Sequence, residues 1–265
     1  MDTISATAYS GLAQRQAWSH RQTADRLLSA LRGDEFVLFS QPIVAADPES
    51  LRASHREILV RFLEEEEKLL PPGSFFPVLE EFRLMTYLDR WVINRTIRWL
   101  RRQAGACPGS RCAINLAPDT LLDRAFPAFV LKQIETGGVS GATLSFEVSW
   151  ADAIAHRERL RALAAQLRPA GIAFALASYA GEAGLAETIG ELAPGFLKIS
   201  ADLVNRMHRD PMDAAMVEGI GARCRGQGIV TIAEHVESER TRELVAGAGI
   251  DFVQGFLVGK PGPLR

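Results

Sequence analysis

From Phe36 onward, short apolar runs rich in β-branched and aromatic residues recur, and after the second of them longer stretches with helical periodicity lie between. Regular alternation of this kind constrains the fold strongly, because strand–helix–strand units bury both element types only as a parallel sheet covered by helices. Strands are expected near Phe36–Val44, Glu57–Phe62, Cys112–Leu116, Thr143–Val148, Ile172–Leu176, Phe196–Ile199, Val230–Ala233 and Phe252–Gln254. Helices are expected over Phe75–Gln103, broken near Arg83, and over Pro118–Thr136, Ala151–Arg168, Ala201–Gly226 and Ser238–Ala248. Eight strands close a barrel, and 265 residues suit one such barrel of about 250. The polar stretch from Ala45 to His55 is too short for a crossover helix, so the first two strands should pair antiparallel, with right-handed crossovers afterwards. The expected fold class is therefore α/β: a TIM-like (β/α)8 barrel with its first strand antiparallel. Residues 1–26 are read as a helical N-terminal extension and 27–265 as the barrel domain.

The formal net charge is −2 and the pI near 6.2, which gives no global basic surface and argues against DNA or RNA as a partner. Cys107, Cys112 and Cys224 form no C-x-x-C pair and are expected to be reduced thiols, not a disulfide framework or zinc site. Met1 to Thr23 has polar residues throughout and lacks the apolar core of a signal peptide, and no apolar run approaches the roughly 18 residues that span a bilayer. A cytoplasmic location with no membrane segment follows as an expectation. The acidic run Glu64–Glu67 before Lys68 reads as a solvated loop, since like charges in sequence repel. Gly137, Gly138 and Gly141 separate a helix from a strand and do not follow one, so they are not a dinucleotide fingerprint.

In a barrel of this kind, functional side chains project from the carboxyl ends of strands. Polar residues inside or just after the apolar runs are Glu57, Arg61, Asn115, Glu147, Lys198, Glu234, Glu237 and Gln254. Each alone is more often a salt-bridged or capping residue. Together they are informative, because isolated polar groups in apolar strands need buried partners.

Their motifs resemble those of the EAL domain of bacterial cyclic di-GMP phosphodiesterases. Gln41-Pro42-Ile43 and Glu57-Ile58-Leu59-Val60-Arg61 are similar to the opening Q-P-I and E-A-L-L-R segments. Pro72-Gly73-Ser74-Phe75-Phe76-Pro77 with Glu80-Glu81, and Leu88-Asp89-Arg90-Trp91-Val92, resemble the next helical signature. Ile114-Asn115-Leu116, Phe146-Glu147-Val148, Leu197-Lys198-Ile199, Ala233-Glu234-His235-Val236-Glu237 and Gln254-Gly255-Phe256 follow in the family's order, and the match runs from about Glu35 to Pro263.

In active relatives two magnesium or manganese ions bridged by carboxylates activate the water that attacks the phosphodiester. The resemblance implies that Glu57, Asn115, Glu147 and Glu234 correspond to metal ligands. It implies that Lys198 corresponds to the lysine that positions the water, that Glu237 and Gln254 support it, and that Arg61 contacts the dinucleotide. Gln41, Leu59, Arg61, Asn115, Glu237 and Gln254 form the implied ligand-binding set.

The departures are as specific as the matches. Ala177-Ser178-Tyr179-Ala180-Gly181-Glu182 stands where the family has D-D-F-G-T-G, so two adjacent aspartates are replaced. Ser200 stands for the aspartate of K-I-D, and Trp150 for the second glutamate of E-x-T-E. Neither alanine nor serine supplies the charge that holds a hard dication. Glu182 and Asp202 are near lost positions, but each lies a few residues off the strand end. His55 and His235 adjoin the motifs, and the family uses other residues there; His235 replaces a glycine and crowds the region of Glu234. Trp150 is read as filling a gap beside the altered loop.

The expectation is thus an inactive member in which Lys198 and Glu237 are vestigial catalytic residues, and Glu57, Asn115, Glu147 and Glu234 are the remnant of a metal site. It would bind cyclic di-GMP without hydrolysis and without requiring a metal, and signal to a protein partner, with a dimer plausible. The alternatives are a nucleotide-independent adaptor using the acidic loop, the Ser178–Gly184 loop or the segment before Leu27, and a weak phosphodiesterase.

Overall fold

A strand buried on both faces reads as a nearly continuous apolar run, and the parallel strands of this chain do so. In the computed structural model, which describes residues 21–64, 68–103 and 109–264, Phe196–Ile199 is buried at all four positions, and Leu144–Ser149 at its first five. The strands are β1 (Phe36–Ala45), β2 (His55–Glu64), β3 (Lys68–Leu70), β4 (Cys112–Asn115), β5 (Leu144–Ser149), β6 (Ala173–Tyr179), β7 (Phe196–Ile199), β8 (Val230–Ala233), β9 (Phe252–Val253) and β10 (Gly262–Pro263). Residues 21–32 form helix α1. The later helices are α2 (Phe76–Glu81), α3 (Met85–Arg102), α4 (Pro118–Leu122), α5 (Phe126–Gly137), α6 (Trp150–Ala155), α7 (Arg157–Leu167), α8 (Leu185–Leu192), α9 (Ala201–Arg206), α10 (Pro211–Arg225) and α11 (Glu239–Gly247).

Strands β1, β2 and β4 to β9 close a barrel, because β1 pairs with β9 on one side and β2 on the other. Both of those pairings are antiparallel, and every other pairing around the ring is parallel. All eight expected strands and the antiparallel first strand are present. Strands β3 and β10 extend the sheet outside the ring, on β2 and the outer part of β1.

Alternation along each strand divides the core in two. Outward residues such as Ile58, Val60, Phe146 and Leu197 pack under the helices in one large cluster. Inward residues Ile43, Ala45, Ala175, Phe196, Ile232 and Phe252 form a smaller plug inside the barrel. Leu27 and Ala30 of α1 are buried in the outer cluster, so this helix, which runs across positions 26 and 27, packs on the barrel. Residues 1–20 lie outside the described residues, as do Glu65–Glu67 of the acidic run and Cys107. Glu64 ends β2 and Lys68 opens β3 in one antiparallel hairpin. Cys112 and Cys224 are buried.

Three expected helices are each two. Phe126 follows a turn at Asp123–Ala125, α6 and α7 meet at His156, and α10 restarts at Pro211, where the Asp210 side chain accepts from Met212 N. Proline at the first helical position with a capping aspartate starts a helix and cannot lie inside one. The break at Arg83 falls where expected, with Arg83 at φ 54. Helix α8, between the glycines at 184 and 195, was not anticipated.

Candidate functional site

The same alternation that builds the plug places polar residues one layer above it. On β7, Phe196 points into the plug and Lys198 lies on the same face two residues on. Gln41 of β1 stands opposite Glu57 of β2, and Asn115 of β4 beside Glu147 of β5. Glu234 follows β8 and Gln254 follows β9. These residues line a cavity of about 310 Å³ at the carboxyl ends of the strands, together with Leu59, Ala177, Ser178, His235, Glu237, Gly255 and Phe256.

Lys198 is the centre of the arrangement. Its Nζ, in a side chain 2% exposed, donates to Glu147 Oε2 at 2.8 Å and Glu57 Oε2 at 2.9 Å, and lies 3.4 Å from Glu234 Oε1. Asn115 Nδ2 donates to Glu57 Oε1 at 2.7 Å, and Gln254 Nε2 donates to Glu57 Oε2 at 2.7 Å and Gln41 Oε1 at 3.0 Å. Gln41 Nε2 in turn donates to the Gly259 carbonyl. Two buried oxygens at this network, Glu147 Oε1 and Gln254 Oε1, have no hydrogen-bond partner.

Burial would lower the Lys198 ammonium, but Glu147, Glu57 and Glu234 around it raise its pKa well above the ordinary value. Burial would raise the Glu57 carboxyl; Lys198 and the donors Gln254 and Asn115 outweigh it and hold Glu57 below its usual range. For Glu147 burial wins over Lys198, and with the neighbouring Glu57 and Glu234 charges it pushes the carboxyl up to about 8. Burial and the shared ammonium thus push the two carboxyls in opposite directions, Glu57 down and Glu147 up.

These residues do not fit a pair of dications. Both Glu57 oxygens are already engaged, the Lys198 ammonium occupies the place between the carboxylates, and the end of β6 presents uncharged Ala177 and Ser178. Among the described residues no group of three or more His, Cys, Asp or Glu side chains is arranged to hold a metal ion.

The altered positions have structural jobs. Ser149 caps α6, Asp152 N donating to its hydroxyl at 3.0 Å, which puts Trp150 at the first helical position with its ring 4.6 Å from that of Tyr179. Trp150 is 5% exposed and fills the space beside the β6 loop, as its sequence context suggested. Ser200 caps α9, Leu203 N donating to its hydroxyl at 3.4 Å. Glu182 folds onto its own loop, its carboxylate accepting from Ala180 N at 2.8 Å and its carbonyl from the Tyr179 hydroxyl at 2.7 Å. Asp202 lies in the first turn of α9. Neither acid lines the cavity.

Of the expected site residues, Gln41, Glu57, Leu59, Asn115, Glu147, Lys198, Glu234, Glu237 and Gln254 come together. Arg61 does not line the cavity; its guanidinium lies 5.4 Å from the Phe39 ring centroid and donates to the Val60 carbonyl. Missing from the expected set are Gly255 and Phe256. A Cβ at Gly255 would lie 2.1 Å from the Val236 carbonyl oxygen, so only glycine fits where the loops after β8 and β9 cross. Phe256 is 55% exposed on the rim, with Lys260 Nζ 5.5 Å from its ring centroid. Its signal was its place directly after Gln254-Gly255.

The EAL domain model matches residues 24–261. The chain is 31% identical over 255 residues to the cyclic di-GMP phosphodiesterase PdeF of Escherichia coli, covering 95% of this chain and 33% of PdeF. It is 30% identical over 241 residues to the cyclic di-GMP phosphodiesterase PdeB of Shewanella oneidensis, covering 91% of this chain and 28% of PdeB. The chain therefore spans about a third of the length of these relatives. Among solved structures, the EAL domain of Xanthomonas citri FimX in complex with c-diGMP superposes with a TM-score of 0.87 at 23% identity, covering 95% of this chain and 98% of that one. The fold is shared, the cavity lies where the carboxyl ends of such a barrel place it, and the chain belongs to the EAL domain family.

Proposed function

We propose that this chain binds cyclic di-GMP in the Lys198 cavity, does not hydrolyse it and needs no divalent metal, and passes its occupancy to a protein partner in the cytoplasm. The observation that carries this reading is the arrangement at Lys198, where an internal ammonium holds together Glu57 and Glu147 while β6 contributes no carboxylate. Family membership supports the choice of ligand, as do relatives named for cyclic di-GMP. The orphaned Glu147 Oε1 and Gln254 Oε1 are buried polar atoms left for a ligand or water to satisfy. At about 310 Å³ the cavity is at the small end of ligand sites, so much of a dinucleotide would lie over the rim formed by Leu59 and Phe256. No helix among the described residues is long and apolar enough to cross a membrane.

The test is product formation and thermal stability measured together. The protein incubated with cyclic di-GMP and either magnesium or manganese should yield no linear dinucleotide, while nucleotide at a hundred times its dissociation constant should add about 2.7 kcal/mol of stability. Sustained turnover would make the chain an enzyme, and an unchanged melting temperature would leave a nucleotide-independent adaptor.

A further inference from the structure

We propose that Ser178 and His235 are the hydrogen-bond donors that hold the ligand's phosphodiester at the mouth of the cavity. This inference rests on the reading of the cavity as a cyclic di-GMP site and identifies how an anion is held above Glu57, Glu147 and Glu234 without metals.

Five non-glycine residues among those described have positive φ: Asp34, Arg83, Ser178, Ala193 and His235. Asp34, Arg83 and Ala193 each lie within two residues of the end of a helix, where a left-handed residue satisfies the last carbonyls. Ser178 (φ 59) and His235 (φ 55) end no helix. They sit at the carboxyl ends of β6 and β8, on either side of the strand that carries Lys198, and both line the cavity with exposed side chains. The β6–β7 register shifts between Leu176 and Tyr179, a bulge of the kind that re-aims a side chain. Left-handed backbone is uncommon for residues with a Cβ, and here it recurs at two points of one rim, turning both residues toward the same cavity.

The chemistry fits an anion. The carboxylates below repel a phosphodiester, and Lys198 is already committed to them. Additional donors at the mouth must carry no negative charge, which a serine hydroxyl and an imidazole N–H satisfy, and hydrogen bonds to an ionised phosphate are the strong kind.

The test is titration of cyclic di-GMP, with chelator present, into the unsubstituted protein and into Ser178→Gly, His235→Gly and His235→Asn. Glycine relieves the backbone and removes the donor, so both glycine variants should melt at an unchanged or higher temperature yet bind about tenfold more weakly. Asparagine tolerates the left-handed region and keeps an N–H, so it should bind within about threefold of the unsubstituted protein. Glycine variants that bind as tightly, or more tightly, overturn the proposal and make the two side chains mere covers, while leaving the receptor reading intact. No binding by the unsubstituted protein overturns the receptor reading and this one with it.

Discussion

Both ends of the barrel gather polar and charged groups, half-buried at the amino end and deeply buried at the carboxyl end, and they use them differently. At the amino end, His55 Nδ1 accepts from Arg111 N at 3.2 Å, and its ring lies 5.6 Å and 4.9 Å from those of Phe196 and Phe252. Asp251 accepts from Thr231 N and Oγ1 and pairs with Arg52 at 2.5 Å. Each polar group there meets a partner on an adjacent strand or loop. At the carboxyl end one ammonium serves several carboxylates, two buried oxygens lack partners, and two residues keep left-handed backbone. Satisfied polar groups fix a fold; buried oxygens without partners beside a cavity are acceptors that only a donor from outside the chain can complete.

Breaking the carboxyl-end cluster should have the largest effect. Lys198→Met leaves Glu57 and Glu147 buried without their cation and should cost about 3 kcal/mol or more in denaturant unfolding at pH 7. Adding Glu57→Gln and Glu147→Gln to that variant should recover much of the loss, which sets the cost on the orphaned charges and not on packing. A smaller effect is expected at the amino end: Asp251→Ala removes the carboxylate that accepts from Thr231 N and Oγ1, and should cost about 2 kcal/mol. Its ligand affinity should be unchanged, and a coupled loss of affinity would erase the division between the two ends.

His55 gives the comparison a pH signature. Burial, then Arg111 and Arg52, lower its pKa from 6.5 to about 4. A depressed folded value means that its contribution to stability is full above about 6.5 and is lost as pH falls through about 4. Unfolding midpoints followed from pH 7 to pH 4 should therefore decline less in His55→Phe than in the unsubstituted protein. The smallest change is expected at Ser200, which caps α9 through its hydroxyl. Aspartate caps equally well, so Ser200→Asp should shift stability by no more than about 0.5 kcal/mol.

Barrel closure was legible because the apolar runs and their spacing carry it: β7 and β8 fall at the expected residues, and the short link before Glu57 required the antiparallel start. Helix interruptions were less legible, since the periodicity of Pro118–Thr136 continues across the turn at Asp123 that an ion pair with Arg90 secures from another helix. Most site positions were legible from motifs alone. The central role of Lys198 was not, because its contacts to Glu57 and Glu147 join residues 141 and 51 positions apart. Nor was the left-handed backbone of Ser178, which falls within a register shift between β6 and β7 that no local pattern announces. Arg61 shows the converse: its motif is intact, and its side chain rests on Phe39 outside the cavity.

The most direct test of a metal-free cyclic di-GMP receptor is an isothermal titration of the dinucleotide into the protein, once with magnesium and once with a chelator. The account predicts binding of the same affinity in both. Binding that appears only with magnesium, or no heat in either experiment, would contradict it.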